Sequence, residues 1–375
     1  MQQPTIGILF NDFQLGGCER VAIRLANVWV SMGQRVIVYV ANDVGNQRAL
    51  LAAGVQVACA DPLIETSRLQ SQRLGQWVGT RATEDRPVAY FLPGNSYFPA
   101  ARSLSLATDG AIPIFAKISN PLWREDRPWI GNAIFRLVTR QRLGKVAAVA
   151  ALSPQLLRHD EQSVGLSQRR GALPDALNEQ WPQNHWVRRR PWHICAVGRL
   201  VPQKNFALIL RSVALLQDLP VTLTIVGDGQ LMPKLQRLAR RLGIERRVSF
   251  AGAVTETSAF MAEAEAMLLT SRYEGYPAVM IEAMVAGTYV VARNASCAMT
   301  EIIQSPLLGT VVDGDRPEAF AGALRRFFAD PQRRACDTRR AMARQLFDRH
   351  IASHSAREYL KFFGLHTPML EGAGG

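Results

Sequence analysis

The string Ser271-Arg272-Tyr273-Glu274-Gly275-Tyr276-Pro277-Ala278-Val279-Met280-Ile281-Glu282 sets two carboxylates eight positions apart. The first follows a buried strand-like run, Ala266–Leu269. The second falls about one and a half turns into the helix that begins near Ala278. Gly275 lets backbone approach a ligand closely. Pro277 suits a first helical turn, where its missing N–H costs nothing. The open N–H groups of that turn, with their partial positive charge, suit a phosphate. Each carboxylate accepts several hydrogen bonds and so suits sugar hydroxyls. Two solvated surface glutamates are the plain alternative for an arbitrary pair at this spacing. The accompanying Gly and Pro favour a ligand site.

A second group is Gly198-Arg199-Leu200-Val201-Pro202-Gln203-Lys204-Asn205, between a strand and a helix. Arg199 supplies a forked donor and Lys204 a point charge, a pair able to converge on a diphosphate. They would also neutralise charge on a departing nucleotide diphosphate. Two exposed basic residues on a loop are the competing reading. Gly16-Gly17, in the first β-α loop, allows backbone N–H groups to face a ligand, although many such loops need glycine for geometry only. Gly227-Asp228-Gly229 opens like a dinucleotide fingerprint, but Met232 stands where its third glycine belongs, so a nicotinamide dehydrogenase is rejected.

The elements that must hold these residues alternate between strand and helix. Thr5–Phe10 reads as a buried strand, Cys18–Met32 as a helix with Ala22, Leu25, Ala26 and Trp29 on one face, and Arg35–Val40 as the next strand. Further strands are expected at Val88–Leu92, Ile112–Ile118 and Ala147–Leu152. The alternation resumes at Ile194–Val197, with a helix over Asn205–Leu216, strands at Val221–Val226, Val248–Phe250, Ala266–Leu269 and Tyr289–Ala292, and a helix over Ala278–Ala286. Such βαβ units imply parallel sheets covered by helices. The reading is therefore α/β, with two doubly wound parallel-sheet domains facing a cleft. The boundaries are 1–178 for the first domain, 179–192 for a polar, basic linker and 193–345 for the second. A C-terminal helix over 346–375 returns to the first domain, and residues 371–375 read as a frayed end.

Composition sets the outer limits. The chain has 375 residues, 48% hydrophobic and 20% charged, enough for two globular domains. The net charge of +13 is spread as +8 in residues 1–190 and +5 in the remainder. Nucleic acid, an anionic membrane and a phosphorylated substrate all suit that balance; with no nucleic-acid motif beside it, no nucleic-acid partner is expected. The five cysteines form no CxxC pair, which argues for a reducing compartment and against a structural zinc site. The six histidines are scattered and no metal-ligand spacing joins them, so no metal is expected. No apolar run of membrane-spanning length and no secretory signal is found, so a cytoplasmic location is expected. The segment Trp129–Leu143 is basic and amphipathic, with Ile130, Ile134, Leu137 and Val138 facing one way. It fits docking on anionic lipid at the inner membrane face, but an ordinary domain helix is the preferred reading.

Taken together, Glu274 and Glu282 in a Glu-x7-Glu spacing, Gly198-Arg199 with Lys204, Val226-Gly227-Asp228-Gly229 and Gly16-Gly17-Cys18-Glu19-Arg20 resemble glycosyltransferase family 4, the group 1 glycosyltransferases of the GT-B fold. The likeness runs through nearly all of the second domain and, in the first, mainly through its first β-α loop. It implies a retaining transferase that moves a sugar from a nucleotide-diphosphate-sugar donor to a glycan or lipid-linked acceptor, in polysaccharide or glycolipid biosynthesis. It implies no cofactor and no metal. Arg199 and Lys204 would bind the diphosphate, Glu274 the transferred sugar near its reacting carbon, and Glu282 the ribose. Gly275, Tyr276 and Pro277 would add backbone contacts, and Gly16 and Gly17 would also face the donor. Glu301 falls at an acidic position of the family, but the preceding stretch Asn294–Met299 lacks the usual glycines. Many relatives also carry a first-domain histidine near the sugar. Here the first histidine is His159, and Asn120, in Lys117-Ile118-Ser119-Asn120-Pro121, is the candidate sugar or acceptor contact in that space. A nucleotide-sugar epimerase and a non-catalytic sugar-nucleotide-binding protein remain as alternatives.

Overall fold

The computed structural model describes residues 4–365, apart from Leu15, Arg68, Glu125, Asp126 and the stretch 180–187. Most of the expected linker, and the expected frayed end at 371–375, lie outside the described residues. The chain divides into two compact units, residues 1–179 with 350–375, and residues 180–349. No described helix is long and apolar enough to cross a membrane.

Unit one is built on a seven-stranded sheet. Its strands are β1 (Thr5–Phe10), β2 (Arg35–Val40), β3 (Gln56–Cys59), β4 (Pro87–Leu92), β5 (Ile114–Ile118), β6 (Ala148–Ala151) and β7 (Arg169–Ala172). The order is β3-β2-β1-β4-β5-β6-β7, with every pairing parallel. β1 is buried along its whole length, as a strand covered on both faces must be. The helix Gly17–Ser31 buries Ala22, Leu25, Ala26 and Trp29 against the sheet. The last described helix, Ala352–Phe363, joins the same core. Trp29 Nε1–H donates to the Ala356 carbonyl at 3.0 Å, and the Phe363 ring lies 5.7 Å from that of Trp29 and 4.4 Å from that of Phe115.

Unit two carries a six-stranded parallel sheet. Its strands are β8 (His193–Val197), β9 (Thr222–Val226), β10 (Val248–Gly252), β11 (Ala266–Leu269), β12 (Tyr289–Arg293) and β13 (Gly309–Val312), in the order β10-β9-β8-β11-β12-β13. From β8 the chain builds outward to β10, then returns to place β11 on the other side of β8. That reversal is the topological switch point, where the carboxyl ends of parallel strands leave a crevice for ligands. Unit one has its own reversal, between β1 and β4. The fold is therefore α/β, with two Rossmann-like parallel-sheet units.

The helix Trp129–Leu143 has its expected bounds, and it rests Leu143 and half-buried Phe135 on the unit-one core. It buries Asn132, Thr139 and Leu143, while Trp129, Ile130, Ile134 and Leu137 are exposed. Buried Asn132 donates through Nδ2 to the Arg124 carbonyl at 2.8 Å, which fastens the inward face to the preceding loop.

Candidate functional site

The loops that follow β8 and β11, neighbours at the unit-two switch point, carry the residues singled out by type. Gly198 and Arg199 follow β8 directly, and a single helical turn, Pro202–Lys204, leads to Asn205 and the helix Phe206–Ala214. The two loops are laced together. Arg272 N–H donates to the Gln203 carbonyl at 2.8 Å, and the Gln203 amide donates to the Tyr273 carbonyl at 3.0 Å. The Thr270 hydroxyl donates to the carbonyls of Lys204 and Asn205 at 3.2 and 3.1 Å. The lacing sets one charged contact, with Lys204 Nζ 2.5 Å from Glu274 Oε1. Both side chains are largely withdrawn from water, at 19% and 8% exposure.

The Glu274 turn is held from its other side as well. Its N–H donates to the Ala295 carbonyl at 3.1 Å, and the Ser296 hydroxyl donates to the Gly275 carbonyl at 2.8 Å. Arg293, at the end of β12, donates to the Arg272 carbonyl and pairs with Asp315. Residues 294–296 therefore brace the turn without glycine, through a serine hydroxyl and a carbonyl. Glu301 lies in a four-residue turn of helix, Met299–Ile302.

The helix Ala278–Val285 starts at Pro277, with no side chain capping its first N–H groups. Its N-terminus is thus open to an anionic group beside the Glu274 turn. Glu282 is the fifth residue of the helix and is half-buried. Gly275, Tyr276 and Pro277 are buried in the turn. Arg199 is exposed, with no side-chain partner among the described residues.

The motif Gly227-Asp228-Gly229 has a clear packing role. It packs the β9 loop against the β8 loop. Gly198 N–H donates to the Val226 carbonyl at 3.0 Å and Leu200 N–H to the Asp228 carbonyl at 2.9 Å. A Cβ on Gly227 would lie 2.0 Å from the Gly198 carbonyl oxygen, and Gly227 has φ +136, so only glycine allows this approach.

Gly16, Gly17 and Asn120 belong to unit one, and the Glu274 set belongs to unit two. Gly16 precedes the first turn of the helix Gly17–Ser31. A Cβ on it would fall 1.9 Å from a Glu19 carboxylate oxygen, so glycine here makes room for Glu19 to fold back over the helix start. The Tyr97 hydroxyl holds that carboxylate at 2.6 Å. Asn120 follows β5, and its carbonyl accepts from the Asn95 amide at 2.8 Å.

Near these loops unit one buries a polar cluster that sequence reasoning did not find. Lys117 Nζ, almost without exposure, lies 2.6 Å from Asp175 Oδ1. Burial opposes the charge on Lys117, yet Asp175, Cys18 and Glu19 outweigh it and hold the ammonium above its ordinary range. Burial pushes the Cys18 thiol up, although Lys117 acts against that. The one sequence signal was Lys117 itself, a lone charge inside the apolar strand Ile114–Ile118. Among the described residues no cluster of His, Cys, Asp and Glu fits a metal ion.

Residues 178–345, less than half of the chain, match the family model "Glycosyl transferases group 1". Among curated relatives, an N-acetylgalactosamine-N,N'-diacetylbacillosaminyl-diphospho-undecaprenol 4-alpha-N-acetylgalactosaminyltransferase of Campylobacter jejuni is 29% identical over 168 residues, 44% of this chain and 46% of that protein. The chain thus spans less than half the length of the first curated relatives it matches. An uncharacterized glycosyltransferase of Haemophilus influenzae is 24% identical over 86% of this chain and 90% of its own. The Anabaena HepE structure in complex with UDP-glucose superposes with a TM-score of 0.78 at 20% identity, over 96% of this chain and 99% of that one. The group 1 glycosyl transferase likeness therefore lies in residues 178–345, which hold the Lys204–Glu274 pair, while the chain as a whole shares the two-unit parallel-sheet fold of its solved GT-B neighbours.

Proposed function

We propose that this protein is a retaining glycosyltransferase of family 4. It moves a sugar from a nucleotide-diphosphate-sugar donor to a glycan or lipid-linked acceptor, on the cytoplasmic side and in polysaccharide or glycolipid biosynthesis. The observation that carries the reading is the Lys204–Glu274 pair at the unit-two switch point, beside the uncapped start of the helix Ala278–Val285.

In this reading the donor diphosphate lies against Arg199, Lys204 and the helix N-terminus. An ammonium has three N–H donors. One engages Glu274, which leaves the others for phosphate oxygens. As the bond from the sugar to the diphosphate breaks, negative charge grows on the leaving oxygen. Fixed cations and N–H groups stabilise that charge more than the ground state, and this lowers the barrier. Protein cations take the place of a metal ion, so none is required. Glu274 faces the sugar, where its position is fixed by the backbone contacts on both sides of its turn. Glu282 takes the ribose hydroxyls, and backbone at Gly275, Tyr276 and Pro277 completes the donor contacts. Departure and acceptor attack share one face of the sugar, so no protein nucleophile is needed. Gly16 and Gly17 are further donor contacts in this reading, and Asn120 is its sugar or acceptor contact.

Because HepE was solved with UDP-glucose, UDP sugars are the first donors to test. The experiment is calorimetric titration of UDP, GDP and a panel of their sugars, followed by incubation of the tightest binder with and without lipid-linked and free glycan acceptors. Acceptor-dependent release of nucleoside diphosphate supports the transferase. Interconversion of the donor sugar without acceptor identifies an epimerase, and tight binding without turnover identifies a binding protein.

A further inference from the structure

The geometry points to the outward face of the helix Trp129–Leu143 as a docking surface for an anionic phospholipid bilayer. This inference concerns unit one and does not depend on the transferase reading.

Helices of folded domains bury their apolar stripe and expose their polar one. Here Phe135 and Leu143 rest on the core, but a second apolar stripe faces outward. Ile130, Ile134 and Leu137, at i, i+4 and i+7, form one stripe and are 55%, 60% and 71% exposed. Trp129, Ala133, Arg136 and Arg140 form the adjoining stripe and are exposed as well. Trp129 at 74% and Leu137 at 71% are the most exposed large hydrophobic side chains among the described residues. Most of the others stand singly on separate elements, as scattered surface hydrophobics usually do.

The occupant follows from charge. From Arg127 to Lys145 the chain holds Arg127, Arg136, Arg140, Arg142 and Lys145 and no acidic residue; Glu125 and Asp126 precede it. Arg140 and Arg142 also complement the C-terminal end of the helix dipole. Arg136 lies outside the last turn and has no such role. An apolar stripe edged by arginines, with a tryptophan at one end, matches the boundary between lipid headgroups and acyl chains. A protein partner for so basic a rim would need a matching acidic groove, and a second copy of this helix would set arginines against arginines. The helix has 15 residues, about 22 Å at 1.5 Å per residue, so it lies along a surface and does not cross one.

Vesicle flotation tests the assignment, with phosphatidylcholine vesicles that contain or lack phosphatidylglycerol. The wild type should float with phosphatidylglycerol vesicles, weakly with phosphatidylcholine alone, and less as salt is raised. Ile134→Ser with Leu137→Ser should lower vesicle affinity at least about tenfold, because exposed apolar area is what inserts. Arg136→Gln with Arg140→Gln should also weaken it, by about fivefold per arginine, and flatten its salt dependence. All four positions are exposed, so circular dichroism and thermal midpoints should match the wild type and exclude misfolding. Wild-type protein that fails to float with phosphatidylglycerol vesicles would overturn the proposal. So would flotation that survives both double substitutions. A solution dimer that Ile134→Ser with Leu137→Ser dissociates, with no vesicle binding, would assign the face to a second copy and overturn it equally.

Discussion

Lys204 and Glu274 stand 70 positions apart in the chain, yet Lys204 Nζ lies 2.5 Å from Glu274 Oε1. The parallel register of β8 beside β11 brings their loops together. Removing one partner of a largely buried pair strands the other without a counter-charge, typically at about 3–5 kcal/mol. Lys204→Ala should therefore lower stability by about 3 kcal/mol, the low end of that range because Lys204 keeps some contact with water. Lys204→Met combined with Glu274→Gln leaves no bare charge and should regain most of that stability without regaining turnover. Thermal unfolding of the two variants beside the wild type measures this. Equal losses in both would show that a stranded charge is not what destabilises Lys204→Ala.

Gly227→Ala should disturb the donor loop from outside it. The new methyl would meet the Gly198 carbonyl at 2.0 Å, in a backbone region that side chains rarely adopt. Relief requires the β8 and β9 loops to part, at a cost of about 2–3 kcal/mol or more. Reduced nucleotide-diphosphate affinity and a lower thermal midpoint are expected together. A variant that matches the wild type in both would show that these loops are not coupled.

Asp160 gives a pH signature. It is buried in the helix Pro154–Val164; one carboxyl oxygen accepts from Leu122 N–H at 2.8 Å and the other has no partner. Burial lifts its pKa from 3.8 to about 7. Above pH 7 both folded and unfolded states are ionised, and the cost of the buried charge is fully present. Below 3.8 both are protonated, and the cost is gone. Asp160→Asn should therefore stabilise the protein at pH 8, by on the order of 3 kcal/mol, with a gain that shrinks as pH falls towards 4. His193 acts in the opposite sense. Burial, with Arg190, pulls its pKa from 6.5 to about 4, so its contribution is lost as pH falls through that window. Comparing variant with wild type at each pH cancels the His193 effect. A gain that does not vary with pH would show that burial does not raise the Asp160 pKa.

The sequence made the strand-helix alternation legible wherever a strand was a continuous buried run, as at Thr5–Phe10 and Ala266–Leu269. It did not reveal Gln56–Cys59, Arg169–Ala172 or Gly309–Val312. These four-residue strands lie at sheet edges and are only partly buried, so no apolar run marks them. Lys204 and Glu274 could be picked out by type and neighbours, but their contact could not, because it depends on strand order. The cluster of Cys18, Lys117 and Asp175 was hidden for the same reason, its members coming from separate segments of unit one. The helix Trp129–Leu143 was legible in extent and not in orientation: periodicity shows that a face is apolar without showing which way it points.

Metal independence follows from the proposed use of Arg199 and Lys204 in place of an ion. Turnover should be unchanged by a chelator. Loss of activity in the chelator, restored by manganese or magnesium, would contradict that use of the two cations.

The most direct test is steady-state kinetics on Glu274→Gln and Glu282→Gln, both close in shape to the native residue, with circular dichroism as the folding control. Glu274 is assigned to the part of the donor where charge changes, and Glu282 to the ribose, where it does not. An interaction made mainly in the transition state acts on kcat, whereas uniform binding acts on KM. Glu274→Gln should lower kcat by about 100-fold, the loss of roughly 3 kcal/mol that one fixed electrostatic contact supplies, with little change in donor affinity. Glu282→Gln should raise donor KM with a smaller effect on kcat. The reverse pattern would exchange the two roles, and folded variants with wild-type kinetics would show that the Glu-x7-Glu pair is structural and contradict the transferase reading.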